Sequence, residues 1–276
     1  MKKIGFIDYY LSEWHANNYP AWIKAASERL GTEYEVKYAY AELDVSPVDG
    51  VTTDEWCEKF GVERCASIKE LCEKSDNVII LAPSDPECHL RYAKEALTSG
   101  KRTYVDKTFA PNLREAEEIF RIAEEGGCEI FSTSALRYAD ELREIDAPKC
   151  IVTTGGGSNL PEYIIHQIEM AVKLLGVGAV SLNVVTEGEE TVCRVAYGDE
   201  RSLEMRYFPK HAFSLALKDG EAIKAKSDFF ANLMEEILRF FDGGENPICK
   251  CQTLEVMKIR EGVIRAFKNQ GETVTL

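Results

Sequence analysis

Residues Gly100–Phe131 read GKRTYVDKTFAPNLREAEEIFRIAEEGGCEIF, and this stretch decides the fold class. Arg102–Val105 is a short β-rich run, and Asp106-Lys107-Thr108 follows at its carboxyl end. Asn112, with Glu115 three residues on, forms a capping-box-like helix start. Leu113, Ala116, Ile119, Phe120 and Ala123 then recur at helical spacing. Gly126-Gly127 stops the helix, and Glu129–Ser132 opens the next strand. Strand, helix and strand in this order predict a parallel βαβ unit. In an open parallel sheet, ligands bind beyond the carboxyl ends of the strands, so Lys107 is the first residue to consider for chemistry. A solvated loop lysine is the plainer alternative.

Working outward, the same alternation continues. Upstream, Asp85–Ser99 reads as a helix and Asn77–Ala82 (NVIILA) as a strand apolar throughout, as expected when helices cover both faces. Lys3–Ile7 and Tyr34–Ala41 are strands, Trp14–Leu30 is a helix closed by Gly31, and Asp54–Phe60 and Ile68–Cys72 are shorter helices. The pattern changes at Asp146-Ala147-Pro148. Beyond it strands dominate: Cys150–Thr154, Val180–Thr186, Thr191–Tyr197, Leu203–Phe208, Phe213–Leu217 and Ala222–Lys226, with Asp219-Gly220 as a hairpin signal. Helices are expected at Pro161–Leu175, Asp228–Asp242 and Thr253–Asn269. The expectation is an α/β chain: a Rossmann-like, doubly wound parallel sheet over residues 1–147, then an α+β domain with a mainly antiparallel sheet over 148–276 for substrate and dimerisation, its closing helices packing back on the first.

Composition narrows the functions. The formal charge of −14 disfavours nucleic acid and anionic membranes as partners. No apolar run is long enough to span a bilayer, and MKKIGFIDYY reads as a first strand rather than a signal peptide. Nine scattered cysteines are expected to be reduced, mostly buried thiols of a cytoplasmic protein; only Cys249 and Cys251 are close in sequence, and no His/Cys set has metal spacing. No metal site is expected.

The helix Glu162–Leu175 has two faces. Ile164, Ile165, Ile168, Ala171, Val172 and Leu175 make an apolar stripe; Glu162, His166, Glu169 and Lys173 lie on another side. Glu162 is placed to touch His166, orienting the imidazole and raising its pKa, which suits proton transfer with a substrate hydroxyl. An exposed pair of structural use only is the alternative. Gly155-Gly156-Gly157 just upstream permits close backbone approach to a ligand, or is a plain loop.

The chain resembles the Gfo/Idh/MocA family of NAD(P)-dependent sugar and polyol dehydrogenases. NVIILAPSDPECHLRYAKEALTSGKRTYVDKTFAPNLREAEEIFRIAEEGGCEIF is similar to the family's long block from the third strand through its Glu-Lys-Pro motif; YIIHQIEMAVKLLG is similar to its catalytic helix; FFANLMEEILRFF and LEVMKIREGVIRAF are similar to its closing helices. The resemblance implies that Lys107 positions substrate near the nicotinamide, that His166 exchanges the hydroxyl proton, and that Glu162 supports it. It implies NAD or NADP as cofactor and a sugar-like small molecule as substrate. Around the cofactor it would put Asp8, Tyr9, Tyr10 and His15 of the first turn, Glu42 (or Asp44) after the second strand, Pro83 and His89 of the PSDPECH segment, and Asp106. It also implies a homo-oligomer through the second sheet, for which Leu203, Met205 and Tyr207 with Val192, Arg194 and Ala196 are the expected open face.

The departures are local. The family's Gly-x-Gly-x-x-Gly turn is replaced by Asp8-Tyr9-Tyr10-Leu11-Ser12-Glu13-Trp14-His15, without a glycine, where two carboxylates would repel phosphates. Trp14, His15, Asn17 and Asn18 either line a pocket there or fill the space of a repacked turn. The proline of Glu-Lys-Pro is Thr108. Three functions follow: an oxidoreductase with a modified nucleotide pocket, a non-catalytic ligand-binding homologue, or a lyase or hydrolase reusing Lys107, Glu162 and His166.

Overall fold

The computed structural model describes residues 1–217 and 220–276, and these divide into two compact units: Met1–Thr133 with Phe230–Cys249, and Ser134–Phe229 with Lys250–Leu276. The division comes earlier in the chain than the expected 147/148 boundary. Ser134–Leu142 forms two turns of 3₁₀-helix, the first of which packs on the main helix of the second unit.

The first unit is a six-stranded, wholly parallel sheet. Its strands are β1 (Lys2–Asp8), β2 (Tyr34–Ala41), β3 (Glu63–Arg64), β4 (Asn77–Ile80), β5 (Thr103–Asp106) and β6 (Ile130–Thr133), in spatial order β3-β2-β1-β4-β5-β6. That order reverses direction between β1 and β4, which is where a doubly wound sheet opens a ligand crevice. The helices are α1 (Trp14–Leu30), α2 (Thr53–Phe60), α3 (Ile68–Lys74), α4 (His89–Ala96) and α5 (Leu113–Gly126). The expected Asp85–Ser99 helix is α4 flanked by short 3₁₀ turns, because Pro86 starts a tighter turn. α5 starts as read: Asn112 Oδ1 accepts the Glu115 amide at 2.9 Å. β4 and β5 are buried along their full length, the consequence of helices on both faces.

The second unit holds a seven-stranded sheet of β7 (Cys150–Gly155), β8 (Ala179–Glu187), β9 (Glu190–Tyr197), β10 (Ser202–Tyr207), β11 (Ser214–Leu217), β12 (Ile223–Lys224) and β13 (Val274–Thr275), ordered β12-β11-β7-β10-β9-β8-β13. Among the described residues of this sheet, only the β7–β10 pair is parallel. The residues of the expected Asp219-Gly220 turn lie partly outside the described ones; the β11–β12 pairing that such a turn would join is present. α6 (Leu160–Leu175) and α8 (Lys250–Lys268) cover one face, burying Ile164, Ile168, Val172, Val256, Ile259 and Val263 against Val195, Leu203 and Met205. α7 (Phe229–Phe241) runs into the first unit, where Phe240 meets Phe131 edge-on and Arg102 donates to the Phe240 carbonyl.

Two expectations are corrected here. Leu203, Met205 and Tyr207 belong to the buried core, not to the open face. Antiparallel register pairs Glu204 with Arg194 and Ser202 with Ala196, so the open face carries Ser202, Glu204, Arg194 and Ala196; the alternation was read with the wrong phase on β10. Cys57, Cys65, Cys72, Cys88, Cys128, Cys150 and Cys193 are free, whereas Cys249 and Cys251 are disulfide-bonded rather than reduced.

Gly126 ends α5 where a Cβ would stand 2.2 Å from the Leu97 carbonyl oxygen. Alanine is the better helix former by about 1 kcal/mol, but the overpacking against fixed backbone costs about 1–3 kcal/mol. Gly126→Ala is therefore expected to lower the urea-unfolding free energy; equal or greater stability would show that the helix and the Leu97 turn are not in contact.

Candidate functional site

At the carboxyl end of β1 the chain satisfies its own crevice donors with carboxylates. Asp8 is buried, and its Oδ1 accepts the amides of Tyr9 at 2.7 Å and Ala82 at 3.0 Å. Its Oδ2 is buried without a hydrogen-bond partner. Burial, and next the charge of Glu13, raise the Asp8 pKa well above the ordinary aspartate value. Glu13 is the N-cap of α1: its backbone is extended (φ −128°, ψ 170°), and its carboxylate accepts the His15 amide at 2.7 Å and the Ala16 amide beside it. Glutamate is not among the usual N-cap residues. Burial raises the Glu13 pKa too, against the pull of His15 and the two amides.

The polar–aromatic segment after it is a repacked turn. His15 stacks on Tyr19 with ring centroids 5.0 Å apart, and its Nδ1 bonds Asp106 Oδ2. The Tyr19 and Tyr104 hydroxyls lie 3.4 and 3.1 Å from Asp106 Oδ1. Burial alone would raise the Asp106 pKa; His15 and then Lys107 reverse this and hold it below the ordinary value. Asn17 accepts the Trp56 indole N–H, and Asn18 donates to the Trp14 carbonyl. Trp14, half exposed, packs edge-on against Trp22 and Phe230.

The remaining predicted cofactor residues are also engaged within this unit. Tyr9 and Tyr10 are half-buried and meet edge to face. The Glu42 carboxylate is held by Arg91 Nε at 3.0 Å, by Arg91 Nη2, and by the Tyr92 hydroxyl at 2.9 Å. His89 is fully buried, with Nδ1 3.1 Å from the Phe109 carbonyl and Nε2 on the Leu81 carbonyl; it ties two loops together instead of lining a pocket. Burial pushes its pKa down. Lys107, only partly buried, donates to the Pro83 carbonyl at 3.1 Å and keeps further N–H donors in its ammonium group. The Lys107–Thr108 peptide is cis.

In the second unit the polar face of α6 is pinned to the Ser134–Tyr138 turn. His166 Nδ1 lies 2.7 Å from Ser134 Oγ, which also caps that turn by accepting the Leu136 amide. Arg137 pairs with Glu169 at 3.1 Å, both buried, and Lys173 donates to the Arg137 carbonyl at 2.7 Å. Glu162 accepts from the Asn159 side chain at 3.0 Å at the start of the helix. Ser134, which the sequence reading did not single out, is thus a residue that orients His166 here. A hydroxyl accepts from Nδ1–H or donates to bare Nδ1, so it holds the ring in either tautomer. Phe213 lies edge-on to the imidazole at 5.3 Å. The glycine run does not open space for a ligand: a Cβ on Gly156 would meet the Phe208 and Pro209 carbonyls, and one on Gly157 the Tyr163 ring.

The buried acids of the first turn give a pH signature. A carboxyl whose folded pKa lies above its unfolded one adds stability that is complete below the unfolded pKa and is lost as pH rises through the folded pKa. Asp8→Asn keeps the acceptor for Tyr9 and Ala82 and removes the ionisation. Melting temperatures of both proteins from the ordinary carboxylate range up to neutral pH are expected to diverge, the variant gaining on the wild type as pH rises; a constant difference would contradict the shift.

Comparison with known proteins agrees with this architecture. Residues 45–134 match the Gfo/Idh/MocA family model, described as an oxidoreductase family with an NAD-binding Rossmann fold. The uncharacterized oxidoreductase YhhX of Escherichia coli K12 is 32% identical over 62 residues, a stretch that spans 22% of this chain and only 18% of that protein. The structure of Lactobacillus casei myo-inositol dehydrogenase in complex with NAD(H) and myo-inositol superposes with a TM-score of 0.80 at 13% identity, covering 100% of this chain and 96% of that one. The scyllo-inositol dehydrogenase of the same organism, with bound NAD(H) and scyllo-inositol, gives 0.74 at 14%, covering 99% and 98%. Residues 45–134 thus match the Gfo/Idh/MocA oxidoreductase family model, and the whole chain shares the fold of these dehydrogenases, with no glycine in the turn after β1.

Proposed function

We propose that this chain binds a sugar- or polyol-like small molecule and that His166 exchanges a proton with one of its secondary hydroxyls; Lys107 is proposed separately, within the first unit, as a residue that binds hydroxyl oxygens. The observation that carries this reading is the Ser134–His166 pair: an imidazole held at Nδ1 by a hydroxyl can take up a proton and return it without losing its anchor. Lys107 supplies ammonium donors of the kind that bind hydroxyl oxygens. The inositol ligands of the two dehydrogenases of similar fold make cyclic polyols the first substrates to test.

The residues of the first turn do not fit a dinucleotide. Two of the helix-end amides that a pyrophosphate would use are bonded to Glu13, and Glu42, an acid expected at the ribose, is bonded to Arg91 and Tyr92. No hydride step is therefore derived. Hydride transfer to NAD or NADP is the second reading, favoured by the NAD-binding description of the family matched over residues 45–134. We place the protein in the cytoplasm, in keeping with its free buried thiols. We also assign it a homo-oligomer through the open face of the second sheet, where a shallow groove runs past Val152, Asn183, Arg194, Ala196 and Glu204.

Thermal shift with myo-inositol, scyllo-inositol and simple sugars tests the substrate assignment. A polyol at a hundred times its dissociation constant should stabilise by about 2.7 kcal/mol. His166→Ala, with its fold intact, should weaken that polyol on the order of tenfold. No shift with any polyol, or unchanged affinity in the variant, would overturn the assignment.

A further inference from the structure

We infer that the Glu13 carboxylate is a resident substitute for the phosphate at the N-terminus of α1, and that it is the residue that closes this turn to dinucleotides. α1 has 17 residues, so its amino end carries a full complement of unpaired amides and the positive end of a helix dipole. In a doubly wound fold those groups, at the switch point beside β1, are what an anion would use. Here the second and third amides of the helix, those of His15 and Ala16, are both taken by Glu13. Two more amides at the same end of the sheet, from Tyr9 and Ala82, are taken by Asp8. Four donors that a pyrophosphate could use here, the amides of Tyr9, His15, Ala16 and Ala82, are thus already bonded to carboxylates of the chain itself.

A second, independent observation marks the place as one built around an anion. Asp8 Oδ2 is buried without a partner, and Glu13 is the largest electrostatic influence on Asp8 after burial itself. A buried and a half-buried carboxyl group thus influence one another, an arrangement that like-charge repulsion disfavours unless something holds it. What holds Glu13 is the helix end, and what holds Asp8 is the pair of strand-end amides. An incoming phosphate would have to displace the first while facing the second. A charge-assisted hydrogen bond to two amides, already formed within the molecule, has no binding entropy to overcome and outcompetes a diffusing anion.

This inference is independent of the polyol assignment, since it concerns only the first unit. The test follows the backbone amide resonances of His15 and Ala16 while inorganic pyrophosphate, and separately NADH, is added to the full chain at millimolar concentration. In the wild type neither resonance should move. In Glu13→Ser, which keeps a good N-cap but frees one amide, both should move saturably, with affinity for pyrophosphate raised on the order of tenfold or more. Glu13→Gln, which keeps the acceptor and removes the charge, is the second variant and should give a smaller gain, provided that it melts cooperatively. Saturable movement in the wild type would overturn the inference, and so would a folded Glu13→Ser as silent as the wild type. The polyol thermal shift, measured on the same samples, separates failure here from failure of the substrate assignment.

Discussion

Backbone amides that emerge at the carboxyl ends of β1 and β4 and at the start of α1 need acceptors, and in this protein they find them inside the chain. A buried, unpaired amide costs as much as a lost hydrogen bond. A dinucleotide-binding turn meets that demand with glycines, which bring the backbone close to a ligand, and with the ligand's phosphates. This chain meets it with Asp8 and Glu13. Once those two acids are in place, the rest of the first turn follows: tyrosines fill the volume, His15 turns inward to Asp106, and Trp14 closes over Trp22 and Phe230.

The second unit solves a different problem with the same economy of residues. Its helix α6 must bury one face against the sheet and still carry polar groups on the other. The Ser134–Tyr138 turn receives those groups, so that Glu169 is neutralised by Arg137 and His166 is held by Ser134. Removing one partner of the Arg137–Glu169 pair would leave an uncompensated buried charge, which is costly. The pair therefore fixes the turn, and the turn fixes the imidazole. That chain of dependence is what links packing to the proposed chemistry.

How much of this was legible in the sequence depends on how local each cause is. The βαβ unit over Gly100–Phe131 was readable because its strand, cap and helix stripe are set by neighbours a few residues apart, and Asn112 caps α5 as its spacing predicts. The absence of glycine after β1 was equally plain. What replaces the glycines was visible only in part: Glu13 stands just before the helix, but glutamate is not among the usual caps. Ser134 was out of reach, since it lies 32 residues from His166 and nothing nearby in sequence marks it. The inward phase of Leu203, Met205 and Tyr207 was missed because alternation gives a period and not a direction; the β9 register decides it. The glycines at 155–157 fitted either a ligand's approach or a plain loop, and the chain's own carbonyls and the Tyr163 ring occupy the space beside them.

The central claim is that a fold shared with nucleotide-binding dehydrogenases carries here a first turn closed by the chain's own acids. Trp14 and Trp22 stand at that turn and report on it directly. Tryptophan emission measured during an NADH titration of the intact protein tests the claim most simply, because a nicotinamide docked in this crevice would drain that emission by energy transfer. The account predicts no saturable quenching up to millimolar NADH; saturable quenching at micromolar NADH would contradict it.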